Sequence, residues 1–82
     1  MKKQFTYINK RETLTTIGAA AGNWRRKLHI RQQTIADDVG TSFSNVSAFE
    51  RGLNDSAIIL TWYLIHGFDP LEDNTVWQLL KT

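Results

Sequence analysis

A twenty-residue segment in the middle of the chain, QQTIADDVGTSFSNVSAFER, constrains the fold most strongly. Its apolar or small residues stand at positions 4, 5, 8, 9, 15 and 18, and a glycine separates two short helical patterns. Ala36 is small enough for a second helix to cross close above it, and Gly40 permits a tight turn. Val46 and Phe49 fill the angle between the helices. This spacing predicts a helix-turn-helix.

Helix signals dominate the rest of the chain as well. A stripe at Ile17, Ala21, Trp24 and Leu28 predicts an amphipathic first helix. Start and stop signals predict five helices in all, at about 16–29, 32–39, 43–51, 56–66 and 70–80.

The predicted helix starts depend on capping residues. Thr41 or Ser42 is the expected N-cap of the third helix, and Asp55 or Ser56 that of the fourth. The apolar stretch at 57–65 also suits a strand, but the signals on both sides favour a helix. Asp69-Pro70-Leu71-Glu72 is a capping box with proline in the first helical position.

Size and composition predict a single all-α domain at 16–82, with a basic extension at 1–15. The 82 residues suffice for one modest core. The absence of cysteine excludes a disulfide framework and a cysteine-based zinc site. No apolar run has the length of a membrane span or of a signal peptide, so we expect a cytoplasmic protein without a membrane partner.

The charges are distributed unevenly along the chain. Residues 1–31 carry eight basic side chains and one acidic one, whereas residues 32–82 carry two basic and seven acidic ones. Such asymmetry is typical of a face or arm that meets a polyanion. Lys2, Lys3, Lys10 and Arg11 are candidates for an arm that follows a DNA backbone. A solvated tail, or a short strand at 5–8, is the alternative.

The central motif resembles a known family over roughly residues 17–67, about 60 per cent of the chain. The matching positions are Arg25, then Gln32-x-x-Ile35-Ala36-x-x-Val39-Gly40, then Ser44-x-Val46-Ser47-x-Phe49-Glu50-x-Gly52, and then Leu53-Asn54. This pattern is similar to that of the XRE helix-turn-helix family, which includes the Cro proteins and repressors of lambdoid phages. The resemblance implies a compact five-helix, lambda-repressor-like DNA-binding domain.

The resemblance also implies roles for individual residues. Arg25 and Glu50 occupy the positions of a salt bridge that ties the first helix to the third. Gln32 matches a glutamine that touches a phosphate and braces the recognition helix. The residues expected to reach base edges in the major groove are Ser42, Phe43, Ser44, Ser47 and Ala48. The residues expected to contact the DNA backbone are Gln32, Gln33, Asn45, Arg51, Arg26, Lys27 and Arg31.

Phe43 departs from the pattern of the family. Relatives often have glutamine or arginine at this position, and those side chains can form bidentate hydrogen bonds with a base. Phe43 has three alternatives: it contacts a thymine methyl group, folds back onto the core, or marks a protein-binding surface. The nearby Asp37 and Asp38 also reduce the local positive potential.

The last two predicted helices carry many large apolar residues for so small a core. Because one helix-turn-helix reads only a few base pairs, such proteins usually bind as dimers. We therefore expect a homodimer whose symmetric interface includes Trp62, Tyr63, Trp77 and Leu80. The alternative is that these residues close a five-helix monomer.

Two classes of function fit the sequence. The first is a sequence-specific transcriptional regulator of phage or mobile-element type, acting on operator DNA. The second is a protein-interaction module on the same fold: an antirepressor, an inhibitor of a regulator, or an antitoxin. We expect neither an enzyme nor a cofactor, because His29 and His66 lack partners at the spacing of a catalytic or metal site. Gly18 and Gly22 do not form a phosphate-binding loop.

Overall fold

The fold is all-α, as the sequence predicts. It is known from a computed structural model that describes residues 10–80, with Leu80 described only in its backbone. The helices are α1 (Lys10–Lys27), α2 (Gln32–Val39), α3 (Phe43–Glu50), α4 (Ala57–Ile65) and α5 (Asn74–Leu80), with a one-turn 3₁₀ helix at Pro70–Glu72. No strand occurs between residues 10 and 80. Nor does this part of the chain contain a helix with the length and apolar character to cross a membrane.

Helix α1 begins six residues before its predicted start, so the predicted boundary between extension and domain at 15/16 lies inside a helix. Residues 10–16 contain neither glycine nor proline, and Glu12 in the first turn suits the positive end of the helix dipole. The helix ends at Lys27 because His29 adopts a positive φ of 59°. Leu28 therefore leaves the predicted buried stripe and is exposed. The strand signal at 5–8, and Lys2 and Lys3, lie outside the described residues.

The core gathers side chains from every helix. Trp24 of α1 is its aromatic centre: its ring centroid lies 6.5 Å from that of Trp62, 6.0 Å from that of Tyr63 and 5.9 Å from that of Phe68. Edge-to-face and tilted contacts at such distances stabilise a core beyond the area that they bury. The buried apolar residues are Ala20, Ala21, Ile35, Ala36, Val46, Phe49, Ile59, Trp62, Tyr63, Phe68 and Val76.

Helix α4 confirms the helical interpretation of 57–65 but not the predicted dimer interface. Ser56 is the N-cap and accepts a hydrogen bond from the Ile59 backbone N–H at 3.2 Å. Trp62 and Tyr63 are only 6% and 0% exposed, so they close the monomer and are not available to a second copy. The Trp62 indole donates to the Asp38 carboxylate at 2.9 Å, which satisfies the one polar atom that its burial would orphan. Trp77 is exposed.

The predicted fifth helix at 70–80 is interrupted. Asp69 accepts a hydrogen bond from the Leu71 N–H at 3.0 Å and starts the 3₁₀ turn, with Pro70 in its first position. Asp73 then acts as a second cap and accepts from the Thr75 N–H at 2.9 Å. The side-chain hydrogen bond from Thr75 holds the pKa of Asp73 below its ordinary value. Two caps four residues apart divide the segment into a turn and a short helix.

Candidate nucleic-acid interface

The turn between α2 and α3 is three residues long and is fixed at both ends. Gly40 adopts a left-handed conformation with φ of 74°, and the Thr41 N–H donates to the Ala36 carbonyl at 2.9 Å. Ser42 is the N-cap of α3 and accepts from the Asn45 N–H at 3.2 Å, while the Asn45 amide donates to the Thr41 hydroxyl at 2.8 Å. The predicted helix-turn-helix unit is therefore present with its expected glycine and cap.

The inner face of α3 packs where the sequence predicts. Val46 is completely buried and Phe49 nearly so, and both belong to the same cluster as Ile35 and Ala36 of α2. The ring of Phe49 also stacks on that of Tyr63, with centroids 5.6 Å apart. This packing fixes the side of α3 that faces the core and hence the side that faces solvent.

Glu50 connects α3 to three other parts of the fold. Its carboxylate accepts hydrogen bonds from Arg25 Nε at 2.7 Å and Nη2 at 3.1 Å, which confirms the predicted salt bridge. Gln32 Nε2 of α2 donates to the same carboxylate at 2.8 Å, and the Tyr63 hydroxyl of α4 is a further donor. Arg25 additionally donates to the Ile30 carbonyl at 2.8 Å. One carboxylate thus joins α1, α2 and α4 to the candidate recognition helix.

The surroundings of Glu50 favour its ionised form. Burial acts to raise the pKa of its carboxyl, but the hydrogen bonds from Arg25, Tyr63 and Gln32 outweigh burial and lower that pKa. The hydrogen bond to Glu50 raises the pKa of Arg25. Burial, and then the bond to the neighbouring carboxylate, raise the pKa of Tyr63. A buried carboxylate with this many donors avoids the cost of an uncompensated charge.

Two glycines of α1 allow the close approach of α3. A Cβ atom on Gly18 would lie 2.9 Å from the Glu50 carbonyl oxygen and would also clash with the Phe49 carbonyl oxygen. A Cβ atom on Gly22 would lie 2.9 Å from Glu50 Oε1. These glycines are isolated in the sequence, yet they face the same partner because they stand one helical turn apart.

The outer face of α3 carries the residues that were expected to reach base edges. Phe43 is 50% exposed, so the alternative in which it folds back onto the core is wrong. Ser42 and Ser44 are exposed, and Ser47 and Ala48 are partly exposed. The structure thus leaves all five on the surface, along and just before one short helix.

The expected backbone-contacting residues are all at least partly accessible, but several also bind neighbouring groups of the chain. Gln32 bonds to Glu50, which confirms its predicted bracing role. Gln33 donates to Asp37 at 2.8 Å, and the exposed Arg51 donates to the Ser47 carbonyl at 3.3 Å. Arg26 donates to the Asn23 side-chain oxygen at 2.5 Å, and Arg26, Lys27 and Arg31 are all exposed.

Sequence reasoning missed two polar contacts that hold α3 in place. Tyr63 was expected at an interface and instead donates to Glu50. Asn54 donates to the Asn45 carbonyl at 3.1 Å and ties the loop after α3 back to the helix. A glutamate on the inward side of a helix was a signal for the first contact, since a buried carboxylate needs more donors than one arginine.

No protein-family model matches the chain, and no curated protein or solved structure is significantly similar to it.

Proposed function

We propose that the chain is a sequence-specific DNA-binding transcriptional regulator of the XRE type, the family that its central motif resembles. In this proposal α3 lies in the major groove of operator DNA. One observation supports this most directly. The inner side of α3 is bonded to α1, α2 and α4 through Glu50, whereas its outer side carries exposed, uncharged and mostly small side chains. A rigid helix with such an outer side fits a major groove, which admits an α-helix.

The side chains on the outer side suit close approach to base edges. Ser44 and Ser47 each offer a hydroxyl that can donate or accept, and Ala48 offers a methyl group. None of these is long enough to hold the helix away from the groove floor. The cap at Ser42 fixes the backbone of the first turn before any DNA is bound, which reduces the entropy lost on binding.

Basic side chains would supply affinity that does not depend on sequence. Arg26, Lys27, Arg31 and Arg51 are exposed and occur at the ends of α1 and α3 and at the start of α2. Each phosphate contact that they make releases condensed counterions, so log affinity falls with log salt at a slope of about −0.9 per contact on duplex DNA.

Dimerisation belongs to the same proposal, with a revised surface. Helix α4 has no charged residue, and its outer side exposes Ile58, Leu64 and Ile65, with Thr61 between them. These residues lie on one stripe at helical spacing. A two-fold axis at this stripe would bury uncharged side chains against themselves. A second copy is the occupant we propose because a single α3 reads too few base pairs for an operator.

The alternative function is a protein-interaction module on the same fold, such as an antirepressor or antitoxin. The half-exposed ring of Phe43, close in sequence to the exposed Asp37, is the observation that favours it. An exposed aromatic ring is a common anchor of protein interfaces, and an acidic side chain is unfavourable beside phosphates.

Selection of bound duplexes from a random-sequence pool, followed by gel-shift titration at two salt concentrations, separates the two functions. A DNA-binding regulator enriches a consensus and gives a saturable shift that weakens with salt. An interaction module enriches no consensus and gives no sequence-dependent shift at moderate salt, a result that would overturn the proposal.

A further inference from the structure

Four side chains of α3 are expected at base edges, namely Phe43, Ser44, Ser47 and Ala48. None of these four makes a bidentate contact with a base. Bidentate recognition in the major groove needs the paired donors or acceptors of Arg, Asn, Gln or a similar group. A hydroxyl group bonds to several bases and discriminates weakly among them.

The amide and guanidinium groups near α3 are engaged elsewhere. The Asn45 amide donates to the Thr41 hydroxyl at 2.8 Å, and the Gln32 amide donates to the buried Glu50. Gln33 donates to Asp37 on its own helix, and Arg51 Nε donates to the Ser47 carbonyl. A bidentate contact by one of these amides would compete with its internal bond, whereas Arg51 uses only Nε and follows the end of α3, where the proposal assigns it to the DNA backbone.

What remains for discrimination is apolar contact. Viewed down the helix axis, Phe43 and Ala48 lie on either side of Ser47 and Ser44, because successive residues are offset by about 100°. The major groove presents one apolar group to such side chains, the C5-methyl group of thymine. The ring of Phe43 is half exposed and belongs to no core cluster, so it has apolar surface left to cover.

We infer that α3 reads thymine methyl groups, with Phe43 as the main specificity-determining residue and Ala48 as a second contact. The serines between them then bond to bases with little preference. This inference rests on the proposed function and names the feature of the operator that is recognised. DNA is favoured here over a protein partner because the four side chains are uncharged and three are small, whereas an apolar docking patch would need larger neighbours around Phe43.

The probes are the consensus duplex obtained by the selection described above and a series of variant duplexes. In each variant one thymine of the consensus is replaced by deoxyuridine, which removes only the methyl group. We expect a loss of affinity of about fourfold at each contacted thymine, equivalent to about 0.8 kcal/mol for one buried methyl-sized group. A 5-methylcytosine–guanine pair at the same position should bind better than the unmethylated pair, since it restores the methyl group.

Protein variants assign the contact to the ring. Phe43→Ala should bind the thymine and deoxyuridine duplexes with nearly equal affinity at one position, because the ring that senses the methyl group is gone. Leu71→Ala is the matched control: Leu71 is an exposed apolar residue of the 3₁₀ turn, away from α3, and its variant should keep the wild-type discrimination. Phe43→Gln should shift the selected base at that position from thymine to adenine, which glutamine reads through N6 and N7.

The outcomes distinguish this inference from the function on which it rests. A consensus that binds equally well with thymine and deoxyuridine at every position overturns the methyl-reading inference and leaves the DNA-binding function intact. Equal discrimination by Phe43→Ala and the wild type overturns the assignment to Phe43. A selection that enriches no consensus overturns both the function and the inference. Circular dichroism checks that the variants retain the helical fold.

Discussion

Gly18 of α1 lies directly against the backbone of Glu50 in α3, so close that a Cβ atom on the glycine would come within 2.9 Å of the Glu50 carbonyl oxygen. Backbone atoms cannot swing aside as a flexible side chain can. Helix α1 can therefore approach the candidate recognition helix this closely only because Gly18 has no side-chain methyl group. The ion pair between Arg25 and Glu50 acts across the same contact.

Gly18→Ala is expected to destabilise the domain by about 2 kcal/mol, because the added methyl group forces α1 and α3 apart. Gly40→Ala is the control: nothing lies within 4 Å of its Cβ position, and only the left-handed φ of 74° opposes the change, at a cost of about 1 kcal/mol. Urea unfolding measures both. A Gly18→Ala variant as stable as Gly40→Ala would contradict the close contact.

Arg25→Ala is expected to lower the free energy of unfolding by about 3 kcal/mol, because it leaves the buried Glu50 carboxylate without its ion-pair partner. The control is Lys10→Ala. Lys10 forms an exposed ion pair with Asp55 at 3.5 Å, and such pairs contribute less than about 1 kcal/mol. Thermal and urea unfolding of the two variants provide the comparison, and equal effects would refute the distinction between the two pairs.

The lowered pKa of Glu50 predicts a specific acid dependence of stability. A carboxyl group whose pKa is lower in the folded state stabilises the fold above its unfolded pKa of about 4.3, and this stabilisation is lost as pH falls through the folded pKa. Glu50→Gln should be less stable than the wild type at neutral pH, with a flatter loss of stability below about pH 4.3.

Tyr63→Phe tests the cause of that shift. It removes one of the donors that lower the pKa of Glu50, so the acid loss of stability should be smaller than in the wild type and should be complete at a higher pH. Urea unfolding from pH 7 downwards measures both variants. If Glu50→Gln kept the wild-type slope in acid, Glu50 would not be the source of the pH dependence.

Ile65→Lys is expected to weaken self-association through the exposed stripe of α4. Ile65 is 74% exposed, and losing the burial of one isoleucine costs about 2 kcal/mol, or more than tenfold in the dimer dissociation constant. Ala19→Lys places the same charge at an exposed position of α1 and should have no effect. Sedimentation at micromolar concentration decides; a wild-type monomer with and without DNA would rule out the dimer.

Ser44→Ala and Arg26→Ala should separate base readout from general affinity. The serine change removes a hydroxyl from the outer side of α3 and should relax, at one position of the consensus, the weak preference that this hydroxyl gives. The arginine change should lower affinity on all sequences alike and reduce the salt slope by about one unit. Anisotropy titrations on the consensus and on an unrelated duplex measure both effects. A reversal of the two patterns would contradict the assignment of Arg26 to the backbone.

The parts of the fold that the sequence predicts well are set by neighbouring residues. Gly40, the Ser42 cap and the inward pair Val46 and Phe49 act within a span of ten residues, so their pattern can be recognised locally. The salt bridge between Arg25 and Glu50 could be predicted only from the resemblance to a family, because 25 residues separate the two side chains in the sequence.

The errors arise where several local signals compete or where contacts are distant. Asp69 and Asp73 both cap, and the sequence does not reveal that the second divides the last helix. Trp62 and Tyr63 are large and apolar, which suits an interface as well as a core. Their burial is evident only from the three-dimensional structure, in which Trp62 donates to Asp38 and Tyr63 donates to Glu50.

Helix α3 is held by the apolar packing of Val46 and Phe49 and by the hydrogen bonds of Glu50. The side chains of Phe43, Ser44 and Ala48 belong neither to the buried cluster nor to these hydrogen bonds. Stability and recognition are thus assigned to different residues of one eight-residue helix. Under the proposed DNA-binding function, operator preference can therefore change through these outward positions alone, and an engineer can reprogramme the same surface without redesigning the scaffold beneath it.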